Sequence, residues 1–330
     1  MRRTLGSVSR MVLLAATMSA AGGISEQCKI HEDDTTIVCQ CVGNEEFFLP
    51  EGYNYENVTS LRVAACSFAN LHFSSLTEAN GIADVIVQNI SERLIFEPFL
   101  TSNSMKRLKL SKIGRIPLIT RDTFISLKNI ESFWIEDTRI HHFQERFADI
   151  AVTNWTMINV TIERVDELNL LGKGGMLRIK DSEFHNVTGS LNFACFSGVE
   201  ILRSRFQLQK PGRLSVEGDL VLIEDCIFSN ASANIVAANG IRINATCADG
   251  KSSMRLSSNR IESVNNRLPT EIVYTRNERE SKRFFSRRNN TVCIAGNCKC
   301  PKSGGDVGGR ATVQLLLLLP TILLRFSVFS

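Results

Sequence analysis

Phe133-Trp-Ile135-Glu-Asp-Thr138-Arg-Ile140 is followed, 22 residues on, by Trp155-Thr-Met157-Ile-Asn-Val160-Thr-Ile162. The same frame returns as Leu177-Arg-Ile179-Lys-Asp-Ser182-Glu-Phe184, Val199-Glu-Ile201-Leu-Arg-Ser204-Arg-Phe206 and Val221-Leu-Ile223-Glu-Asp-Cys226-Ile-Phe228. Earlier units begin at Leu61, Val85 and Leu108, spaced 24, 23 and 25 residues apart up to Phe133. Alternating apolar residues over a few positions mark a short strand with one buried face. One such strand in every 22 or so residues marks a solenoid, whose turns bury their apolar edges only by stacking on one another. Ile241–Ile243 and Met254–Ile261 read as its last, irregular turns.

The run Phe124, Leu127, Ile130, Phe133, Ile135, Thr138, Ile140 resembles the extracellular leucine-rich repeat family. Val58, Ile82, Met105, Ile130 and Val152 stand three residues before their strands, as that family's first Leu does. Cys28, Cys39-Gln-Cys41 and Cys66 resemble its N-terminal cap, and the late cysteines its C-terminal one. The family's Asn, which bonds neighbouring backbone along the stack, is replaced here by Cys, Thr, Val and Ser. Small hydroxyls can fill part of that role, and Val160 cannot. In the second half the position three before the strand becomes Gly174, Phe196 and Gly218. A further alternating segment also appears there, as Leu191-Asn-Phe193, Leu214-Ser-Val216 and Ile235-Val-Ala237. Two or three strands per turn would make a right-handed parallel β-helix. The expected fold is thus a β-rich solenoid of parallel strands, a leucine-rich horseshoe with the right-handed β-helix as its alternative.

Both chain ends read as addresses. Arg2, Arg3 and Arg10, the apolar core 11–18 and the small residues 19–23 form a secretory signal peptide over residues 1–23. At the other end, small residues beginning at Ser303 lead through a polar spacer to an apolar tail over 313–329. That arrangement signals glycosylphosphatidylinositol (GPI) attachment at Ser303, with 304–330 removed. A transmembrane helix is disfavoured by the tail's length, by Pro320 and Arg325, and by the lack of a basic flank. The two segments hold five of the 38 basic residues and one of the 34 acidic ones, so the remaining chain is neutral. No nucleic-acid footprint follows from that balance, and no nucleic-acid partner is expected.

The expected compartment is the cell surface, on the outer leaflet of the plasma membrane. Asn-x-Ser/Thr acceptors stand at Asn57, Asn89, Asn154, Asn159, Asn186, Asn230, Asn244 and Asn289, and each occupied one must face solvent. The ten cysteines, Cys28, Cys39, Cys41, Cys66, Cys195, Cys226, Cys247, Cys293, Cys298 and Cys300, read as disulfides, most of them closing the two ends, with Cys195 and Cys226 between. Zinc at Cys39/Cys41 or Cys298/Cys300 is disfavoured by the one-residue gap. No metal or other cofactor is expected. The layout is a cysteine-rich cap and first turn over 24–66, the solenoid over 67–264, and a basic loop with a second cap over 265–303.

In a horseshoe, the residues between and just after the apolar strand positions line the concave face. Asp137, Asn159, Asp181, Arg203 and Asp225 would form one column of it, about 5 Å apart. The part left open by the acceptors at Asn154 and Asn159 comprises Arg178, Lys180, Asp181, Arg203, Glu224 and Asp225, which we take as the candidate face for an extracellular or cell-surface protein. The plainer reading is a solvated sheet whose opposite charges pair along the column. A second patch, from Arg276 to Asn290, could meet acidic glycans or be cut at Lys282-Arg283 or Arg287-Arg288. It reads equally as a solvated loop. Catalysis is not expected. Asp181 and Asp225, two turns apart with Arg203 between them, stand at or beyond the wide limit for paired carboxylates in glycoside hydrolysis. The histidines His31, His72, His141, His142 and His185 show no metal-ligand spacing.

Overall fold

In the computed structural model the described residues are 27–30, 35–42, 45–49, 55–71, 81–96, 104–124, 127–144, 147, 150–249, 251–268, 285–293 and 300. The expected signal peptide, Ser303 and the apolar tail lie outside them, as does most of the basic loop. Among the described residues the one helical segment is a 3-10 turn at Arg121–Phe124, and nearly everything else is strand.

The chain coils as a β-solenoid of parallel strands. Ile37, Leu61, Val85, Leu108, Phe133, Trp155, Leu177, Val199, Val221, Ile241, Ile261 and Phe285 stack in register, one from each turn. From Ile37 to Ile261 every side chain in this column is buried. The expected apolar positions are therefore the ones that point inward. Fully burying such a side chain is worth roughly 1.5–3 kcal/mol, but a single turn has nothing to bury it against. Neighbouring turns supply the missing wall, which is why the strand must recur. The register continues past Val264 into Phe285–Arg288, which pairs with Ile261–Val264.

From Leu168 to Ser258 each turn has three sides. One turn comprises Met176–Lys180, Glu183–Val187 and the start of Leu191–Leu202. We call these the first, second and third faces. On the second, Phe184 stacks on Phe206 at 4.8 Å and Phe206 on Phe228 at 5.4 Å, with near-parallel rings. On the third, Leu168, Leu191, Leu214, Ala233 and Met254 share one buried column. This is the arrangement of the β-helix alternative, and the horseshoe expectation is corrected here. A repeat of 22 residues, with no helix to span its outer side, is folded into short strands separated by tight corners.

The corner between first and second faces explains the column read as concave. Asp137, Asn159, Asp181, Arg203 and Asp225 all have φ between 47° and 53°, and Asn89, Lys112, Ala245, Asn265 and Asn289 share that left-handed geometry. Asn and Asp tolerate it best among non-glycine residues, which accounts for their frequency in the column. The N–H of Asp181 donates to Leu202 O at 3.0 Å, and that of Arg203 to Glu224 O at 2.8 Å.

Just inside the corner runs a ladder. Ser182 Oγ accepts the Val160 N–H at 3.1 Å and donates to Lys180 O at 2.8 Å. Ser204 Oγ does the same for Ser182 N–H and Leu202 O, at 3.2 and 2.8 Å. The hydroxyls thus take over the expected Asn role, and Val160, which offers no acceptor itself, has its own N–H taken by Ser182. In the last turns Asn itself appears, since Asn266 accepts from Thr246 N–H at 2.8 Å and Asn290 from Asn266 N–H at 2.9 Å.

Disulfides close both ends. Cys28–Cys39 ties the antiparallel strand Cys28–Ile30 onto Thr36–Gln40, and Cys41–Cys66 joins successive turns. An antiparallel strand at the end of a parallel stack caps an edge that would otherwise template further pairing. At the far end Cys247 bonds Cys300, and Cys293 is also disulfide-bonded, while Cys298 lies outside the described residues. The expectation that all ten cysteines are paired is corrected at two positions: Cys195 is an exposed free thiol and Cys226 a buried one. Cys226 belongs to the inner ladder, donating to Glu224 O at 3.2 Å and Ile201 O at 3.3 Å. Burial pushes its thiol up to about 12, so it behaves as a slightly larger serine.

Candidate recognition surface

The six candidate residues lie together on the first face and its corner, and most are already engaged. Arg178 Nε meets Glu200 Oε2 at 2.7 Å. Arg203 forks onto Asp181, with Nε–Oδ1 at 2.5 Å and the second contact at 3.0 Å. That hydrogen bond holds the Asp181 carboxyl below its ordinary range and raises Arg203 in turn. Glu224 accepts from Asn244 Nδ2 at 3.1 Å. Burial, aided by the adjacent Glu224, raises the Asp225 carboxyl. Further along, Asn159 Nδ2 donates to Asp137 at 2.7 Å, and Arg107 pairs with Asp84 at 3.0 Å.

Each corner residue stands directly over its counterpart in the next turn, so opposite charges in successive repeats meet without any long-range search. Exposed pairs of this kind contribute little, about 0–1 kcal/mol each. They do occupy the polar groups that a partner would need. Asp181, with both oxygens held by Arg203, is not placed as a free acid or base.

The second face carries a further set that sequence reasoning left aside. His141 Nδ1 lies 2.5 Å from Glu163, His142 Nε2 3.0 Å from Asp166, and His185 Nε2 2.9 Å from Glu183. His141, Glu163 and His185 occupy equivalent positions of successive turns, as the flanking register requires. The hydrogen bond from His141 lowers the Glu163 carboxyl. For Asp166, burial pushes upward, but hydrogen bonds from His142 and Arg164 outweigh it. Among the described residues no group of His, Cys, Asp and Glu has the arrangement of a metal site. The spacing of 22 between residues 141 and 163 was the available signal, but it becomes legible only once the second face is known to be a strand.

The eight glycosylation acceptors all fall on described residues and none is buried: Asn57, Asn89, Asn159, Asn186 and Asn289 are exposed, and Asn154, Asn230 and Asn244 half-buried. Asn89, Asn159 and Asn289 sit at the first corner. Asn186 and Asn230, also left-handed, sit where the chain leaves the second face. Of the proposed cleavage pairs, Lys282-Arg283 lies outside the described residues. Arg287-Arg288 lies in a strand paired with Ser263-Val264, which withdraws its backbone from a protease.

No protein-family model matches the chain, and neither a curated protein nor a solved structure is significantly similar to it.

Proposed function

We propose that this chain is a GPI-anchored, N-glycosylated protein of the outer cell surface that works by recognition or adhesion, binding another extracellular protein through its solenoid. The observation that carries the reading is the pairing of cysteines at both ends of the stack, at Cys28–Cys39, Cys41–Cys66 and Cys247–Cys300. Structural disulfides of this density belong to an oxidising compartment. The outward placement of all eight acceptors, the basic start and the apolar tail support the same route. A lipid anchor leaves no cytoplasmic part, so any signal passes through a second protein.

The front cysteine cap and the spacing of Val58, Ile82 and Met105 support a resemblance to extracellular leucine-rich repeat proteins in the front part of the chain only. The three-sided turns favour a second reading, a β-helix that binds extracellular polysaccharide without cleaving it. Its carboxylate pair is compromised, because Asp181 is held by Arg203. A structural matrix role is the third reading.

Intact cells expressing the chain, treated with a phosphatidylinositol-specific phospholipase, test the anchor. The protein is expected in the supernatant, as a species that shifts on removal of N-glycans. Retention on cells whose other GPI-anchored proteins are released would contradict the proposal.

A further inference from the structure

The third face differs from the other two in what its polar groups are doing. Asn169, Asn192, Ser215, Asn234 and Arg255 form one outward column, in register from turn to turn. Asn169 donates to Glu167 at 3.2 Å. Among the described residues the side chains of Asn192, Ser215 and Asn234 have no partner at all. They are half-buried, uncharged and spaced by the strand separation, about 4.8 Å. None of the eight acceptor asparagines lies in this column. Occupied acceptors would therefore put sugar at the first corner, at the exit of the second face and, at Asn57 and Asn154, just before the first face, and leave the third-face column itself bare.

Two residues further along the same strands, and so on the same side of the sheet, the face drops into a groove of about 450 Å³ at the corner leading to the first face. Phe196, Ala237 and Ser258 line it, with Cys195, Glu217 and Asp219. Gly218, between the two acids, keeps it open: a Cβ there would stand 3.1 Å from Phe196 O and 3.2 Å from Val199 Cγ2. The lining contains no cationic side chain, and neither Glu217 nor Asp219 makes an ion pair or side-chain hydrogen bond among the described residues. On the first face Asp84, Glu136, Asp181, Glu200 and Glu262 each have a cation, and Asp137 and Glu224 an amide donor. Among the described residues Glu217 and Asp219 have neither.

We propose that this groove, with the column beside it, docks an extended basic segment of a partner protein. A Lys or Arg side chain sits between Glu217 and Asp219, and the segment's backbone amides meet Asn192, Ser215 and Asn234. Charge decides the occupant, because an acidic glycan is repelled by the same two carboxylates that a cation would neutralise. Bonds to these half-exposed groups replace bonds to water, so each adds only modestly to affinity, and the cation between the two carboxylates sets the preference. The inference rests on the recognition reading above, and adds which face does the recognising and the charge of what it takes.

Cys195 supplies the readout, since it lines the groove and is exposed while Cys226 is buried. The full chain, purified with its glycans, is alkylated with neutral iodoacetamide, and modification at Cys195 is followed by mass spectrometry. The probes are the peptide Gly-Ser-Arg-Ser-Arg-Ser-Gly and its twin with Glu at both Arg positions. At several times its Kd the basic peptide leaves at most about a fifth of the grooves open, so Cys195 should react about fivefold more slowly. The acidic twin should have no effect, and the variant Glu217→Gln/Asp219→Asn should lose the protection. Cys226 staying unmodified shows that the variant is folded. No protection by the basic peptide, equal protection by both, or protection that survives in the variant overturns the proposal. So does slowing that grows with protein concentration without peptide, which would put a second copy in the groove. None of these outcomes depends on the lipid anchor, so failure here and failure of phospholipase release are distinguishable.

Discussion

Ser182 Oγ accepts the Val160 N–H from the preceding turn at 3.1 Å while donating to Lys180 O within its own turn. One hydroxyl therefore satisfies a buried donor and a carbonyl at a corner where the sheet hydrogen bonds are interrupted. Ser182→Ala leaves that N–H buried without an acceptor, and should destabilise the chain by about 1–3 kcal/mol. Ser182→Cys should cost less, because Cys226 already holds the equivalent place two turns on. Urea midpoints of the two variants check both statements. Equal stability of Ser182→Ala and the unmodified chain would contradict the ladder.

Ala245 sits at the same left-handed corner with φ 49°. It has no polar side chain to make the conformation comfortable. Ala245→Asn should be neutral or stabilising by up to about 1 kcal/mol, whereas Ala245→Val should destabilise by about 1–3 kcal/mol. Thermal unfolding orders the three proteins. A Val variant as stable as the Asn variant would show that the corner is not left-handed.

Acid should remove the Asp181–Arg203 pair in a defined direction. The Asp181 carboxyl is lowered in the folded chain, first by the Arg203 hydrogen bond. Its contribution is therefore fully present above the unfolded value, about pH 4, and is lost as pH falls through the lower folded value. Arg203→Gln should cost less than about 1 kcal/mol at neutral pH, because the pair is largely exposed. The difference should shrink in 1 M salt and vanish once pH has fallen below the lowered Asp181 value. Paired denaturant curves across pH measure it. A gap that widens in acid would reverse the assignment.

The two free thiols should behave differently. Cys195 is exposed, while burial pushes Cys226 up to about 12. Under native conditions an alkylating reagent should modify Cys195 alone, and after unfolding without reductant both should react. Peptide mapping distinguishes them. A Cys195–Cys226 disulfide in the purified chain would restore the reading in which every cysteine is paired.

The coil itself was legible in the sequence, and its sides were not. The starts at Phe133, Trp155, Leu177, Val199 and Val221 mark the first face because an inward residue cannot be polar without a partner, so the pattern survives in every turn. The third face repeats at Leu191, Leu214 and Ala233, but alanine hides the last of these, so the sequence reading starts that segment two residues late at Ile235, and short alternating segments fit a horseshoe's outer side as well as a β-helix. The column Asp137 to Asp225 was found correctly and placed wrongly. Spacing identifies residues that stack, whereas only backbone geometry shows whether they lie mid-strand or at a corner. Asn266 and Asn290 escaped notice because the 22-residue spacing fails just where the ladder returns to Asn, shortening to 20 at Ile241 and Ile261 and lengthening to 24 at Phe285. Glu217 and Asp219 carry no motif. Among the described residues nothing pairs with them, and a sequence does not display that.

The cell-surface account stands or falls on the chain's mature ends. Protein isolated from membranes and mapped by mass spectrometry is expected to begin between residues 21 and 24. Its last peptide should end at Ser303 bearing an ethanolamine-linked glycan. Recovery of unmodified peptides from residues 313–330 in that mature protein would contradict it.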